Sequence, residues 1–317
     1  MEETESFRRN TFMTGRTLPL VLTIFAFLLP IFFVPNAAFP FELSKAYLAL
    51  IAVALIFIVF SIQTLRSGVL KFRSSALLFA VLVLPLTYLL SALFSSVPSL
   101  SFFGYEIDQD TFGFMALCAA LALSVTLAAD SESRVAAVLR ALYVGGALML
   151  LFQVIQLLFH APINFGLFSS PIQNLLGKWN DLALFAGFMG SLSLLIFETV
   201  QLSTVRNIFV WVTLILSVVV LVLANLPLAW VLFGLASFIL LIFSFMRRHL
   251  HRSLAGAGGI ASLVALALVV FFLFFGARVS TTLQNHFSIS ALEVSPSMKG
   301  TLGVLENVYA KRPLVGS

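Results

Sequence analysis

Nine long apolar runs, with basic residues gathered in alternate gaps between them, leave this chain one kind of solvent to fold in. The runs cover residues 18–34, 45–64, 75–94, 112–129, 141–159, 181–200, 207–224, 227–246 and 254–275. Each comes close to the roughly 20 residues that a helix needs to cross hydrocarbon. Only 31 of 317 residues are Asp, Glu, Lys or Arg, and 34 are Phe. No water-soluble domain hides that much apolar surface, so the chain reads as polytopic. Backbone amides in lipid must pair within their own segment, which requires helix. A β-barrel would show segments of about 10 residues with alternating polarity, and that pattern is missing from the sequence.

The expected fold is therefore all-α: a membrane bundle of about nine transmembrane helices. Orientation follows from the charges. With a cytoplasmic N-terminus, the inner segments carry Arg8, Arg9, Arg16, Arg66, Lys71, Arg73, Arg134, Arg140, Arg206, Arg247, Arg248 and Arg252. The outer segments carry Lys45, Lys178, Arg278, Lys299, Lys311 and Arg312. The positive-inside rule then sets the residues after Phe275 outside. The net charge of +5 reports topology and anionic headgroups, not a nucleic-acid partner. Arg8, Arg9 and Arg16 before an apolar run also fit a signal peptide, but this run exceeds a usual h-region and eight more follow. It reads as an uncleaved first helix. Cys118, the only cysteine, falls inside a run and reads as a small buried apolar side chain. Neither a disulfide framework nor a metal cluster is expected.

The organisation expected is a transmembrane domain over 1–275 and an extracytoplasmic segment over 276–317. Within the latter, Ser295-Pro296 forms an N-cap and first-turn proline. Met298, Leu302, Leu305 and Tyr309 recur at helical spacing. Lys311 and Arg312 suit the last turn, and Pro313 ends it. An amphipathic helix is expected over 296–312.

Ionisable residues are nearly absent from the run centres, where pumps and channels keep costly charges. They gather instead at the outer ends. SFFGYEIDQDTFG (101–113) holds Glu106, Asp108 and Asp110. These carboxylates either contact a sugar or acceptor, or form a solvated acidic turn. In LLGKWNDLALFAG (175–187), Asn180 or Asp181 can cap a helix, and Trp179 suits the interfacial belt. Lys178 is left over, at a helix N-terminus where a phosphate binds well. Gln153, Gln156 and His160 share a helical face, as interhelical hydrogen bonds or as a polar lining. Asn225-Leu226-Pro227 forms a tight outer hairpin. Arg278 either snorkels to headgroups or clamps a diphosphate.

At these places the chain resembles the O-antigen ligase and polymerase family. Members are bacterial inner-membrane glycosyltransferases that take a glycan from an undecaprenyl diphosphate carrier at the periplasmic face. SFFGYEIDQDTFG resembles the family's outer loop. GKWNDLALF resembles the glycine–aromatic–asparagine stretch that opens a later span. Ser295-Pro296-Ser297-Met298, followed by Lys311-Arg312-Pro313-Leu314-Val315-Gly316, resembles the start of the large periplasmic loop with its Pro-x-x-Gly turn.

The resemblance implies transfer from a polyprenyl diphosphate-linked glycan to an acceptor, with membrane lipids as the other partners and no cofactor or metal. It implies phosphate contact at Arg278 and Lys178. Asp181, Glu106 and Asp108 would contact sugar or acceptor. The family's catalytic histidine is expected beyond Ser317, and His286 does not match its position. Asn225-Leu226-Pro227 stands where many members carry a Ser-Arg pair. Two other classes fit the runs alone, a lipid-linked glycan transporter and a non-catalytic multispan protein. A transporter predicts broken helices and polar groups at mid-depth.

Overall fold

The computed structural model describes residues 17–34, 41–68, 76–95, 97–104, 111–129, 131–159, 174–251, 257–286 and 303. Among them there is no strand. The helices are α1 (Thr17–Leu28), α2 (Phe41–Ser67), α3 (Ala76–Leu93), α4 (Pro98–Phe103), α5 (Phe112–Ala128), α6 (Glu132–Phe159), α7 (Trp179–Thr199), α8 (Thr204–Ala224), α9 (Pro227–His251) and α10 (Ala257–His286). Seven of them, α2, α3 and α6–α10, are long and apolar enough to cross a membrane. The chain is thus a multi-pass helical membrane protein. α1 and α5 are apolar but shorter.

Each expected run holds a helix, and the differences lie at the ends. α1 stops at Leu28, six residues before its run ends, because Pro30 drives the residue before it out of helical geometry. α6 starts nine residues before its run, and α10 continues past Phe275 to His286. Charged residues such as Glu132, Arg134 and Arg140 are poor in hydrocarbon but not poor in a helix. Hydropathy therefore marks where lipid begins, not where the helix does. The helix expected over 296–312 lies, apart from Gly303, outside the described residues, as do Glu106 and Asp108.

The described helices fall into two compact units. One holds α1–α5 and α6 up to Leu142; the other holds α6 from Tyr143 and α7–α10.

In the first unit α1 and α2 form an antiparallel hairpin. Leu18, Leu22 and Phe25 bury against Ala49, Ala52 and Ile56, with Ala128, Leu117, Leu121 and Val138 packed around them. Small residues on α2 let the two backbones approach closely, as lipid-embedded helices require. The Lys45 ammonium donates to the carbonyls of Leu29 (3.0 Å), Pro30 (3.3 Å) and Phe32 (3.4 Å). The Val34 amide donates to Ser44 Oγ at 3.2 Å. Carbonyls orphaned where α1 stops thus find donors on α2. Short α4 begins at Pro98 and ends at Gly104, whose φ of 65° is the left-handed region open to glycine. Thr111 Oγ1 then caps α5 by accepting from the Phe114 amide. A Cβ on Gly113 would stand 3.1 Å from the Phe102 carbonyl oxygen, so α4 lies directly against the start of α5.

The second unit is built on α7, which contacts α8, α9 and α10. Its inner faces carry small residues and buried serines, Ser193, Ser217, Ser237 and Ser262. The first three return their hydroxyls to the carbonyl one turn back, which satisfies them without water. Along the middle of the helices the outward faces are apolar, with Ile215, Phe238, Ile239, Leu263 and Phe274 all exposed. A water-soluble bundle would be polar there.

Candidate functional site

The second unit's helix register follows from a few contacts. Tyr143 and Ser193 share a hydrogen bond of 2.8 Å, and Met189 closes over Gly146. α6 and α7 are therefore antiparallel. At equal rise along both axes, about 1.5 Å per residue, Gln153 and Gln156 come level with the first turns of α7, around Asn180–Ala183.

Glu198 lies against Gly258, so α7 and α10 are antiparallel too, and about twenty residues further along each axis Arg278 comes within about one turn of Lys178 in depth. Gly190 lies against Phe233, so α9 runs parallel to α7, with Pro227 at the depth of Leu184. Trp230 stacks on Phe272, with ring centres 4.9 Å apart and planes within 7°. Asn225 Oδ1 stands 2.8 Å from where a Cβ on Gly276 would be.

The α8–α9 turn is consequently recessed. Counted from Leu184, α7 begins roughly 7 Å beyond it, and α10 continues from Gly276 for roughly 15 Å more. The turn itself is Asn225-Leu226-Pro227. Asn225 takes the left-handed conformation at φ 47° and its amide donates to the Leu221 carbonyl at 2.8 Å. Asparagine tolerates that geometry and Pro227 opens the next helix, as expected of this tripeptide.

At this end, which we call the Trp179 end, three of the five expected site residues lie at similar depth. Lys178 occupies the N-cap position of α7 and is exposed; Asp181 lies in the first turn and is half-buried; Arg278 is exposed on α10. Lys178 and Asp181 are one turn apart and interact electrostatically. The Arg278 carbonyl accepts from the Thr281 and Thr282 hydroxyls, at 3.0 Å each. Two cations on different helices beside a helix N-terminus favour an anion such as phosphate. Glu106 and Asp108, the other two, lie outside the described residues.

Several expectations are corrected here. α7 starts at Trp179, so neither Asn180 nor Asp181 is its cap, and the Lys178 side chain makes no capping bond. The chain is turned before it instead. The Asn174 side chain accepts from the Leu176 amide at 2.9 Å and donates to the Gly177 carbonyl at 3.3 Å. Gly177 takes φ 103°, which excludes other residues. Trp179 does not face an interface; it is 4% exposed. Cys118 is exposed, not buried.

Gln153 and Gln156 are fully buried. Neither amide group finds a hydrogen-bond partner among the described residues, against the interhelical bonds that such a stripe usually makes. Leaving a buried amide group unpaired costs about 1–3 kcal/mol. Beside them runs an apolar cleft of about 210 Å³, lined by Val154, Leu157 and Leu158 of α6, Val219 and Val222 of α8, and Leu283 of α10.

At the opposite end, Arg247 donates to the Glu198 carbonyl in the last turn of α7. The Glu198 side chain lies at the first turn of α10, where a carboxylate suits the helix dipole. The spacing of Glu198 and Arg247, 49 residues apart, carried no signal of this.

No protein-family model matches the chain, and neither a curated protein nor a solved structure is similar to it at a significant level.

Proposed function

We propose that this protein is a membrane glycosyltransferase of the O-antigen ligase type, which moves a glycan from a polyprenyl diphosphate carrier to an acceptor at the periplasmic face. What supports this reading is the helix register, which brings Lys178 and Arg278 to within about one turn of the same level at the Trp179 end. They are 100 residues apart in the chain and stand on two helices that flank a recessed turn. On this reading α1 and α5 also cross the membrane, giving nine spans with the N-terminus cytoplasmic. The basic residues Arg134, Arg140, Arg206 and Arg247 then face the cytosol, and the Trp179 end faces out. The membrane is the bacterial inner membrane.

Arg278 and Lys178 hold the diphosphate and offset the charge that develops on it as the sugar–phosphate bond breaks. Both cations are in place before the reaction, so little reorganisation is needed. Asp181 contacts sugar or acceptor. An outer base takes the proton of the acceptor hydroxyl as its oxygen attacks the anomeric carbon. The first isoprene units of the prenyl chain lie in the apolar cleft beside Val154, Leu158 and Leu283, and the rest in the surrounding lipid.

The test is transfer of a lipid-linked glycan by the full-length protein in proteoliposomes. Arg278→Ala and Lys178→Ala are each expected to lower turnover by about 100-fold, the cost of one electrostatic contact to the leaving group. Unchanged turnover in both removes the assignment.

A further inference from the structure

We infer that Gln153 and Gln156 form a carboxamide pair that binds a hydroxyl-bearing ligand group, a sugar ring, at the Trp179 end of the second unit. This rests on the reading above and adds to it the contact that distinguishes a glycan-bearing carrier from a bare one.

Four observations lead here. Both side chains are fully buried, and all four of their polar side-chain atoms lack a partner among the described residues. The two residues are three apart on α6, so their side chains leave the same face, about 5–6 Å apart at Cβ. They come level with the first turns of α7, and so near Lys178, Asp181 and Arg278 in depth. Elsewhere the α7-facing side of α6 is filled by other means. Tyr143 reaches Ser193, Gly146 admits Met189, and Leu150 and Leu157 are apolar. Leucine at 153 or 156 would fill similar space and leave nothing unpaired.

A carboxamide offers two donors and one acceptor oxygen, which neighbouring ring hydroxyls match in both directions. It carries no charge, so it has no advantage over Lys178 or Arg278 for phosphate. The chemistry therefore divides, with cations for the diphosphate and neutral amides for the neutral sugar. A bound sugar supplies the hydrogen bonds that the two glutamines lack.

The experiment measures binding of two defined lipids to the full-length chain in nanodiscs of phosphatidylethanolamine and phosphatidylglycerol. One lipid is undecaprenyl diphosphate. The other is undecaprenyl diphosphate bearing N-acetylglucosamine. Wild type is expected to prefer the sugar-bearing lipid by about tenfold, the worth of two modest net hydrogen bonds. Gln153→Leu/Gln156→Leu is expected to bind both lipids with wild type's affinity for the bare one, while its thermal midpoint rises. Equal affinity of wild type for the two lipids overturns the inference, and so does an undiminished preference in the double variant. Binding of neither lipid by wild type overturns the transferase reading itself, and this inference falls with it. A second measurement does not depend on the leucine variant folding. In a Cys118→Ala background, Gln156→Cys, buried as Gln156 is, is expected to react only slowly with a membrane-impermeant thiol reagent from the Trp179 side, and the sugar-bearing lipid to slow that reaction further than the bare one. A cysteine that never reacts, or equal protection by the two lipids, overturns the inference.

Discussion

Replacing Lys45 with methionine removes an ammonium from three carbonyl oxygens while keeping most of the side chain's apolar stem. The bond to Leu29, at 3.0 Å, has ordinary length; those to Pro30 and Phe32, at 3.3 and 3.4 Å, are long. Hydrogen bonds to a charged group are worth about 1.5–3 kcal/mol each when well made. One good bond and two weak ones give a gross gain of about 4 kcal/mol by that measure. Against this stands the cost of withdrawing a largely buried ammonium from water, which returns about 2 kcal/mol after relaxation. The net loss on substitution is about 2 kcal/mol. With about 2–4 °C per kcal/mol for a chain of this size, the midpoint falls by roughly 4–8 °C. Circular dichroism at 222 nm in detergent micelles measures it. Arg66, exposed near the far end of α2, is the control, and Arg66→Met is expected to shift stability by no more than about 0.5 kcal/mol. If Lys45 only reached for headgroups, as its place in the sequence suggests, the two variants would melt alike. That result would refute the bridging role.

Other substitutions test other parts of the second unit. A Cβ on Gly258 would stand 2.5 Å from Glu198 Oε2 and 3.0 Å from its backbone nitrogen. Backbone cannot yield as a side chain can, so Gly258→Ala is expected to cost about 1–3 kcal/mol in thermal unfolding; an unchanged midpoint argues against the contact. Asn225→Ala is expected to cost about 1 kcal/mol for its left-handed backbone, whereas Asn225→Gly is tolerated; equal costs would mean that the turn does not need that conformation. Tyr143→Phe is expected to lose about 1 kcal/mol with the Ser193 bond. Trp230→Phe should fall short of the usual cost of a lost indole hydrogen bond, because the indole N–H has no acceptor among the described residues. The reverse order in midpoints would be inconsistent with both assignments.

Much of the fold was legible because lipid permits so little. Apolar runs of the right length have one low-energy backbone in hydrocarbon, so the helices at 76–93 and 112–128 could be read almost to the residue. The Asn225-Leu226-Pro227 hairpin was equally plain, since a residue that tolerates left-handed geometry followed by proline both stops one helix and starts the next. Helix ends outside the lipid were not legible at α6 and α10. There, polar residues are compatible with helix and loop alike.

The site was legible only in part. Lys178, Asp181 and Arg278 stood out as candidates because charge near an apolar run is conspicuous. Their similar depth was not visible, for it depends on which helices pack and in what register. Trp179 and Cys118 show the same limit: one is interior and the other exposed, and residue type fixes neither.

By itself, then, the order of the residues determined that this chain is helical, which segments meet lipid and where one tight turn falls, because those properties are local or belong to the solvent. The tertiary structure decided the partners: Lys45 on the carbonyls beyond α1, Arg247 on the end of α7, Gln153 and Gln156 buried without one among the described residues, and Arg278 within about a turn of Lys178 in depth. Partnership across many residues depends on helix register and rotation, which close packing of small side chains sets and no local pattern encodes.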